Sequence, residues 1–196
     1  CLESGRDPRF GSYEIRFLAS NNGSNMQAII DACTDLRIPA APSLLIYNNP
    51  SAFAANRARQ SSLEVDFLNG KTHPDPGDLD TATRDALLAH HIDLVVLAGY
   101  MKRIGPRALS AFANRILNIH PSLLPKFGGK GMYGLRVHEA VIRSGEIETR
   151  VTVHLINENY DEGPILQQRS MPLYSHDTAE SLQQVALELE YSLYSD

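Results

Sequence analysis

Short apolar segments alternate with amphipathic segments along most of the chain. Segment 13–20 is an apolar run of strand length, whereas segment 25–35 places Met26, Ile29 and Cys33 on one face of a helix. Strands that alternate with helices in this way are typical of a parallel sheet with crossover helices, so the pattern predicts one α/β domain. Further strands are predicted at 43–47, 64–68, 94–98, 116–119, 151–156 and 165–171, and further helices at 52–60, 81–89, 106–113, 137–143 and 178–194.

Two segments follow neither pattern and are predicted to be loops. Segment 70–80 is rich in Gly, Pro and Asp, and segment 121–135 combines prolines with four glycines. The second loop is long enough to carry a function of its own. Residues 1–12 are a polar leader without periodicity, so the domain is expected to occupy residues 13–196 without a repeat or a linker.

The composition narrows the classes of partner. The 196-residue chain has a formal net charge of −5, which argues against a nucleic acid, because such a ligand usually requires a basic face. A single phosphate group can still bind at a helix N-terminus. No apolar run approaches the roughly 20 residues that cross a bilayer. Cys1 and Cys33 indicate neither a disulfide framework nor a metal pair, and Cys33 is expected to be a buried thiol, so a cytoplasmic protein without a metal is predicted.

The turn between the first strand and the first helix reads SNNGSN, residues 20–25. Free backbone N–H groups and the positive end of the helix dipole meet at such a turn, so a phosphate can bind there without Lys or Arg. Gly23 allows a close approach of the backbone, and Ser24 and Asn25 add side-chain donors. The alternative is that Ser24 or Asn25 only caps the helix.

The segment GYMKRIGP, residues 99–106, follows the apolar run at 94–98. An almost wholly apolar run is typical of a central strand covered on both faces. Ligands of open α/β sheets bind beyond the carboxyl ends of such strands. Tyr100, Met101 and Ile104 are therefore candidates to line an apolar slot for a flat ring, and the alternative is that they close the end of the sheet as ordinary core.

Asn118 and His120 share one face at the end of a strand, because residues two apart point to the same side. An Asn amide can donate to a developing oxyanion, and a His side chain exchanges a proton near neutral pH. Asp161, in the loop segment YDEGP, is a candidate to orient the imidazole, although a lone loop Asp also forms turns. His154 falls on the polar side of its strand, either as a second partner of the site or as a satisfied interior histidine.

Four segments carry the most specific pattern in the chain. They are NGSN at 22–25, VVLAGYM at 95–101, ILNIHPSLLPKF at 116–127 and VTVHLINENYDEGPIL at 151–166. Together they resemble the phosphoribosylglycinamide formyltransferase family of purine biosynthesis, and the resemblance covers about residues 14–196. The stretch GGKGMYGLRVHEAV at 128–141 is similar to a loop found in part of that family.

The resemblance implies a Rossmann-like, doubly wound and mostly parallel sheet with helices on both faces. It also implies transfer of a formyl group from 10-formyltetrahydrofolate to the amine of glycinamide ribonucleotide, with no metal and with a monomer or a homodimer as the assembly. The implied site has these parts: catalytic Asn118, His120 and Asp161 with His154 behind them, a phosphate loop at Gly23, Ser24 and Asn25, a ribose-binding acid at Glu190, and a folate slot at Tyr100, Met101 and Ile104.

The chain departs from the family pattern at two positions and at its end. Asn21 stands where the phosphate loop usually has Gly, and Arg150 stands where a Gly usually precedes the strand containing His154. The chain also stops at Asp196, short of the usual end, so the last helix is expected to be incomplete.

Two alternative functions remain at this point. A formyltetrahydrofolate deformylase has a similar domain, but a second His is expected after its catalytic one, where this chain has Pro121. A non-catalytic phosphate-binding module on the same fold has no need for Asn118, His120 and Asp161 together.

Overall fold

The computed structural model describes residues 13–89 and 92–195, and its strands and helices follow one another in the predicted order. The strands are β1 (Tyr13–Ala19), β2 (Ala40–Tyr47), β3 (Glu64–Phe67), β4 (Leu94–Leu97), β5 (Ile116–His120), β6 (Glu148–Leu155) and β7 (Ile165–Pro172). The helices are α1 (Ser24–Thr34), α2 (Ala54–Gln60), α3 (Pro76–Leu88), α4 (Pro106–Ala111), α5 (Leu135–Arg143) and α6 (Ala179–Tyr194). The polar leader expected at 1–12 lies outside the described residues.

The largest error in the predicted boundaries concerns the start of α3. The loop prediction for 70–80 is wrong from Pro76 onwards, because the helix begins there. Asp75 is the N-cap, and its side chain accepts the N–H groups of Gly77 and Asp78. Asp, Pro and Gly are turn formers in composition, but Asp at the N-cap with Pro at the first helical position also starts a helix.

The seven strands form one sheet in the order β3-β2-β1-β4-β5-β6-β7. The pairs from β3 to β5 are parallel, whereas β6 runs antiparallel to β5 and β7 antiparallel to β6. The strand order reverses at β1, between β2 and β4, which leaves a crevice at the carboxyl ends of the central strands. The doubly wound, mostly parallel sheet is thereby confirmed.

Helices cover both faces of the sheet. One face packs against α1, α2, α5 and α6, with a core that includes Phe17, Met26 and Val137. The other face packs against α3 and α4 around Leu18 and Phe112. Phe17 and Leu18 are neighbours in β1 and enter opposite cores, as the two-residue period of a strand requires. Cys33 lies in the first core as predicted, and burial raises the pKa of its thiol to about 11.

Helix α6 is attached to the centre of the sheet by one buried hydroxyl. The Tyr194 hydroxyl lies 3.1 Å from the carbonyl oxygens of both Leu97 in β4 and Leu117 in β5. Burial, followed by the nearby charge of Glu190, raises the pKa of Tyr194 well above its usual value, so the hydroxyl stays a donor. The described part of α6 therefore ends beside the strands that carry the predicted chemistry.

Candidate active site

One cavity at the carboxyl ends of β1, β4 and β5 brings every sequence-predicted site residue together. It has a volume of about 610 Å³. Its wall includes the phosphate-loop, folate-slot and catalytic candidates together with Glu190 and His154: Gly23, Ser24, Asn25, Tyr100, Met101, Ile104, Asn118, His120, His154, Asp161 and Glu190. A second cavity of about 760 Å³ lies beside it and shares Tyr100 and Ile104.

The β1–α1 turn presents backbone donors to this cavity. Gly23 is the N-cap of α1 with φ +68°, and no described side chain caps this helix end. The alternative that Ser24 or Asn25 is merely a cap is therefore wrong. An added Cβ at Gly23 would sit 2.6 Å from Ala54 Cβ, so the left-handed turn and its contact with α2 both require glycine. The first N–H groups of α1 remain available to an anion.

Glu190 closes the same end of the cavity from α6. The Asn25 Nδ2 atom donates to Glu190 Oε2 at 2.6 Å, across 165 positions of sequence. Burial raises the pKa of Glu190 to about 7, and the bond from Asn25 partly opposes that shift. The Asn25 Oδ1 atom has no hydrogen-bond partner among the described residues, so it remains an available acceptor.

The folate-slot candidates belong to the segment after β4, in the wall of the same cavity. Ser20 Oγ accepts the Met101 N–H at 2.8 Å, which ties the segment after β4 to the end of β1. Ile104 is buried in the core under α3 and α4, Tyr100 is half-buried, and Met101 is exposed. Ile104 belongs to the core and also lines the cavity, so the slot for a flat ring stays a prediction.

Asn118 and His154 face each other across β5 and β6. They are register partners in the antiparallel pair, and Asn118 Nδ2 donates to His154 Nε2 at 3.1 Å. His154 Nδ1 donates to the Leu155 carbonyl oxygen at 3.0 Å, which leaves Nε2 as the acceptor. His154 is buried rather than at a polar surface, and it fixes the Asn118 amide with one N–H still available to the cavity.

His120 and Asp161 meet although 41 positions separate them in sequence. His120 Nε2 donates to the Phe127 carbonyl oxygen at 2.8 Å, so Nδ1 faces the cavity side, 3.8 Å from Asp161 Oδ2. Asp161 Oδ1 lies 3.7 Å from His154 Nε2. Asp161 has φ +57°, a conformation that Asp tolerates better than most residues.

Burial outweighs the carboxylate at His120. Desolvation lowers the pKa of His120 below its usual value, while Asp161 and the Phe127 carbonyl raise it by less. His154 is shifted in the same direction, again mainly by burial. Both imidazoles are therefore neutral at pH 7, and His120 Nδ1 carries a lone pair that can accept a proton.

Two features of the site were missed in the sequence. His138 of α5 is buried in the cavity wall beside His120, and burial lowers its pKa to about 4. The backbone N–H of Gly129 donates to Asp161 Oδ2 at 2.9 Å. The glycines at 128–134 were the available signal for close backbone contacts in this loop.

Both residues that depart from the family pattern, Asn21 and Arg150, have hydrogen-bond partners in the structure. Asn21 has a negative φ, so it bears no left-handed strain, and its carbonyl oxygen accepts the Ala54 N–H at 3.1 Å. Arg150 lies in β6, where its guanidinium contacts Glu148 at 3.3 Å and Gln168 at 3.4 Å. Within residues 13–89 and 92–195 no group of His, Cys, Asp and Glu could hold a metal ion, and no helix is long and apolar enough to span a membrane.

The chain is similar to known proteins over most of its length. Residues 13–196 match the formyl transferase family. Phosphoribosylglycinamide formyltransferase of Haemophilus influenzae is 38% identical over 181 residues, covering 92% of this chain and 83% of that protein. The chloroplastic enzyme of Arabidopsis thaliana is 38% identical over 192 residues, and the chain spans 65% of its length.

A solved structure shows the same fold. Glycinamide ribonucleotide transformylase 1 of Symbiobacterium toebii superposes with a TM-score of 0.87 at 35% identity, covering 98% of this chain and 90% of that one. The chain belongs to the formyl transferase family, among the phosphoribosylglycinamide formyltransferases.

Proposed function

We propose that this protein transfers the formyl group of 10-formyltetrahydrofolate to the amine of glycinamide ribonucleotide, giving formylglycinamide ribonucleotide and tetrahydrofolate in the cytoplasm. One observation carries the proposal: Asn118, His120 and Asp161 lie in one cavity, with helix N–H groups and an apolar slot in the same wall. The names of relatives that are 38% identical support transfer of a formyl group to phosphoribosylglycinamide.

The two substrates take opposite parts of the cavity in this proposal. The nucleotide phosphate binds the N-terminus of α1 at Gly23, Ser24 and Asn25, and Glu190 accepts hydrogen bonds from the ribose hydroxyls. The folate ring system enters the apolar slot beside Tyr100, Met101 and Ile104. This arrangement directs the amine and the formyl group towards Asn118.

The first step forms a bond between the amine nitrogen and the formyl carbon. The carbonyl electron pair moves to the formyl oxygen, and the N–H of Asn118 that His154 does not use donates to this oxyanion. Asn118 thus acts most strongly when the charge has developed, which lowers the barrier without tightening the binding of substrate.

In the second step the electron pair on the oxyanion re-forms the carbonyl, and the bond between the formyl carbon and N10 of the folate breaks. The attacking nitrogen has become cationic and loses a proton, and N10 takes up a proton as it leaves. His120 Nδ1, neutral and with a free lone pair, receives and returns this proton directly or through a water, and Asp161 stabilises the transient imidazolium. The step requires no protein nucleophile.

One assay tests the proposal against its competitors. Purified protein with 10-formyltetrahydrofolate should release tetrahydrofolate at a rate that depends on added glycinamide ribonucleotide, with the formylated nucleotide formed in equal amount. Release without the nucleotide would indicate a deformylase, and binding of the nucleotide without turnover would indicate a phosphate-binding module.

A further inference from the structure

Gly128 lies against the catalytic carboxylate so closely that no side chain fits there. A Cβ added at Gly128 would sit 2.5 Å from Leu124 Cδ2 and 2.9 Å from Asp161 Cβ. Leu124 is buried, so it has no open space into which it could turn. Any larger residue at 128 therefore displaces Asp161 or the loop itself.

Gly129 contacts the same carboxylate through its backbone. Its N–H donates to Asp161 Oδ2 at 2.9 Å, and its φ of +98° lies in a region that residues with a Cβ rarely adopt. Nothing lies within 4 Å of an added Cβ at this position, so the backbone conformation alone requires glycine. Glycine is thus required at 128 for lack of space and at 129 for its backbone conformation, and both residues contact Asp161.

The Asp161 carboxylate lies near two histidines, His120 and His154, and the hydrogen bond from Gly129 restricts its orientation between them. Its two oxygens lie 3.8 Å from His120 Nδ1 and 3.7 Å from His154 Nε2, and neither distance is that of a direct hydrogen bond. The Gly129 N–H is the one direct hydrogen bond to the carboxylate found among the described residues. It fixes which oxygen faces which histidine.

We propose that Gly128 and Gly129 form a positioning element that holds the Asp161 carboxylate between His120 and His154. This inference rests on the proposed function, in which Asp161 acts on His120. It gives the segment 128–134 a second task, because residues 129–134 also form part of the cavity wall. The positioning is done by backbone atoms of the loop, without a further side chain.

The first test places a methyl group against the carboxylate. Gly128→Ala should lower kcat at least tenfold and change the nucleotide KM less than threefold, because the phosphate and ribose contacts lie elsewhere. Displacing the negative charge should also lower the His120 pKa in an NMR titration. His120 is faced by Asp161, His138 and His154, and of these Asp161 is the group nearest to a methyl group added at Gly128.

Gly145→Ala is the matched control. Gly145, like Gly129, has a positive φ (+71°) with nothing within 4 Å of an added Cβ, and it follows α5 outside the cavity wall. This variant should lose some thermal stability. Its kcat should stay within twofold of that of the unchanged protein, and its His120 pKa should not move. If Gly128→Ala fails to fold, Gly129→Ala is measured in the same way.

The second test observes the contact without an activity assay. The amide proton resonance of Gly129 should move in Asp161→Asn, because the acceptor of its hydrogen bond loses its charge. A Gly129 resonance unaffected by Asp161→Asn overturns the inference. The inference is also overturned if the protein transfers formyl groups and Gly128→Ala alters neither kcat nor the His120 pKa. If no formyl transfer occurs at all, the proposed function fails. The comparison of the Gly129 amide resonance in the unchanged protein and in Asp161→Asn still decides whether the contact exists.

Discussion

The parallel and antiparallel parts of the sheet supply different kinds of chemistry to one cavity. On the parallel side, the β1–α1 turn offers mainly backbone N–H groups, and its shape depends on Gly23. On the antiparallel side, β5 and β6 bring Asn118 and His154 into register, with His120 at the end of β5. Backbone donors tolerate changes of neighbouring side chains, as Asn21 illustrates. The strand side has no such tolerance, because each role there belongs to one side-chain atom.

The difference predicts that changes on the antiparallel side affect turnover, whereas changes on the parallel side affect affinity. The largest effect is expected from Asn118→Ala or His120→Ala. Each should lower kcat at least about a hundredfold with little change in KM, because the Asn118 amide and the His120 imidazole act on charge that develops in the transition state. Steady-state kinetics with both substrates measures this. Asn56→Ala, on the exposed face of α2, is the control. Unchanged turnover in either variant removes that residue from the chemistry.

Asp161→Asn should have the next largest effect, a loss of roughly tenfold to a hundredfold in kcat. The substitution keeps the shape and removes the charge that favours the imidazolium. The His120 pKa, already lowered by burial, should therefore fall further in an NMR titration. Asp78→Asn, exposed in the first turn of α3, is the control. Full activity with an unmoved His120 titration would leave Asp161 a turn residue and make His154 the next candidate for moving the proton.

Ser24→Ala tests the parallel side and should have a smaller effect. The nucleotide KM should rise about threefold to tenfold, while kcat and the folate KM stay within twofold, because one side-chain donor is lost and the helix N–H groups remain. Ser110→Ala, in α4 on the other side of the sheet, serves as the comparison. A rise in the folate KM alone would mean that the two subsites are assigned the wrong way round.

Glu190→Gln should change stability in a pH-dependent manner. The pKa of Glu190 is about 7 in the folded protein against 4.5 for the ordinary side chain, so the folded state binds this proton more tightly. The stability it contributes is complete below pH 4.5 and is lost as the pH rises through 7, by at most about 3 kcal/mol.

Urea unfolding at pH 5 and pH 8 measures this change. The unchanged protein should lose more stability between the two values than Glu190→Gln, which keeps a neutral side chain at both. Glu188→Gln, an exposed change on the same helix, should behave like the unchanged protein. Equal losses in all three proteins would contradict the assigned ionisation.

The order of strands and helices could be predicted from the sequence because each element carries its own periodicity. The start of α3 could also have been found, since Asp75 and Pro76 form a recognisable helix start. The candidate catalytic set could be predicted from Asn118 and His120, because one strand places them together. The contacts of Asn25 with Glu190 and of Gly129 with Asp161 join distant segments, and no local pattern records such a pairing. The family resemblance anticipated Glu190, and the fold prediction of helices on both faces is confirmed.

Helix α6 completes the nucleotide end of the cavity through the hydrogen bond of Glu190 with Asn25 and the anchoring of Tyr194. This affects when a newly synthesised chain can bind the nucleotide. Strands β1 to β5 precede α6 in the chain, so they can pair before α6 has been synthesised. The ribose end of the cavity requires α6, whose closing residues leave the ribosome much later. A nascent chain can therefore possess its oxyanion donor and phosphate turn while it still lacks a closed nucleotide site, so affinity for the nucleotide should appear only after α6 has been synthesised.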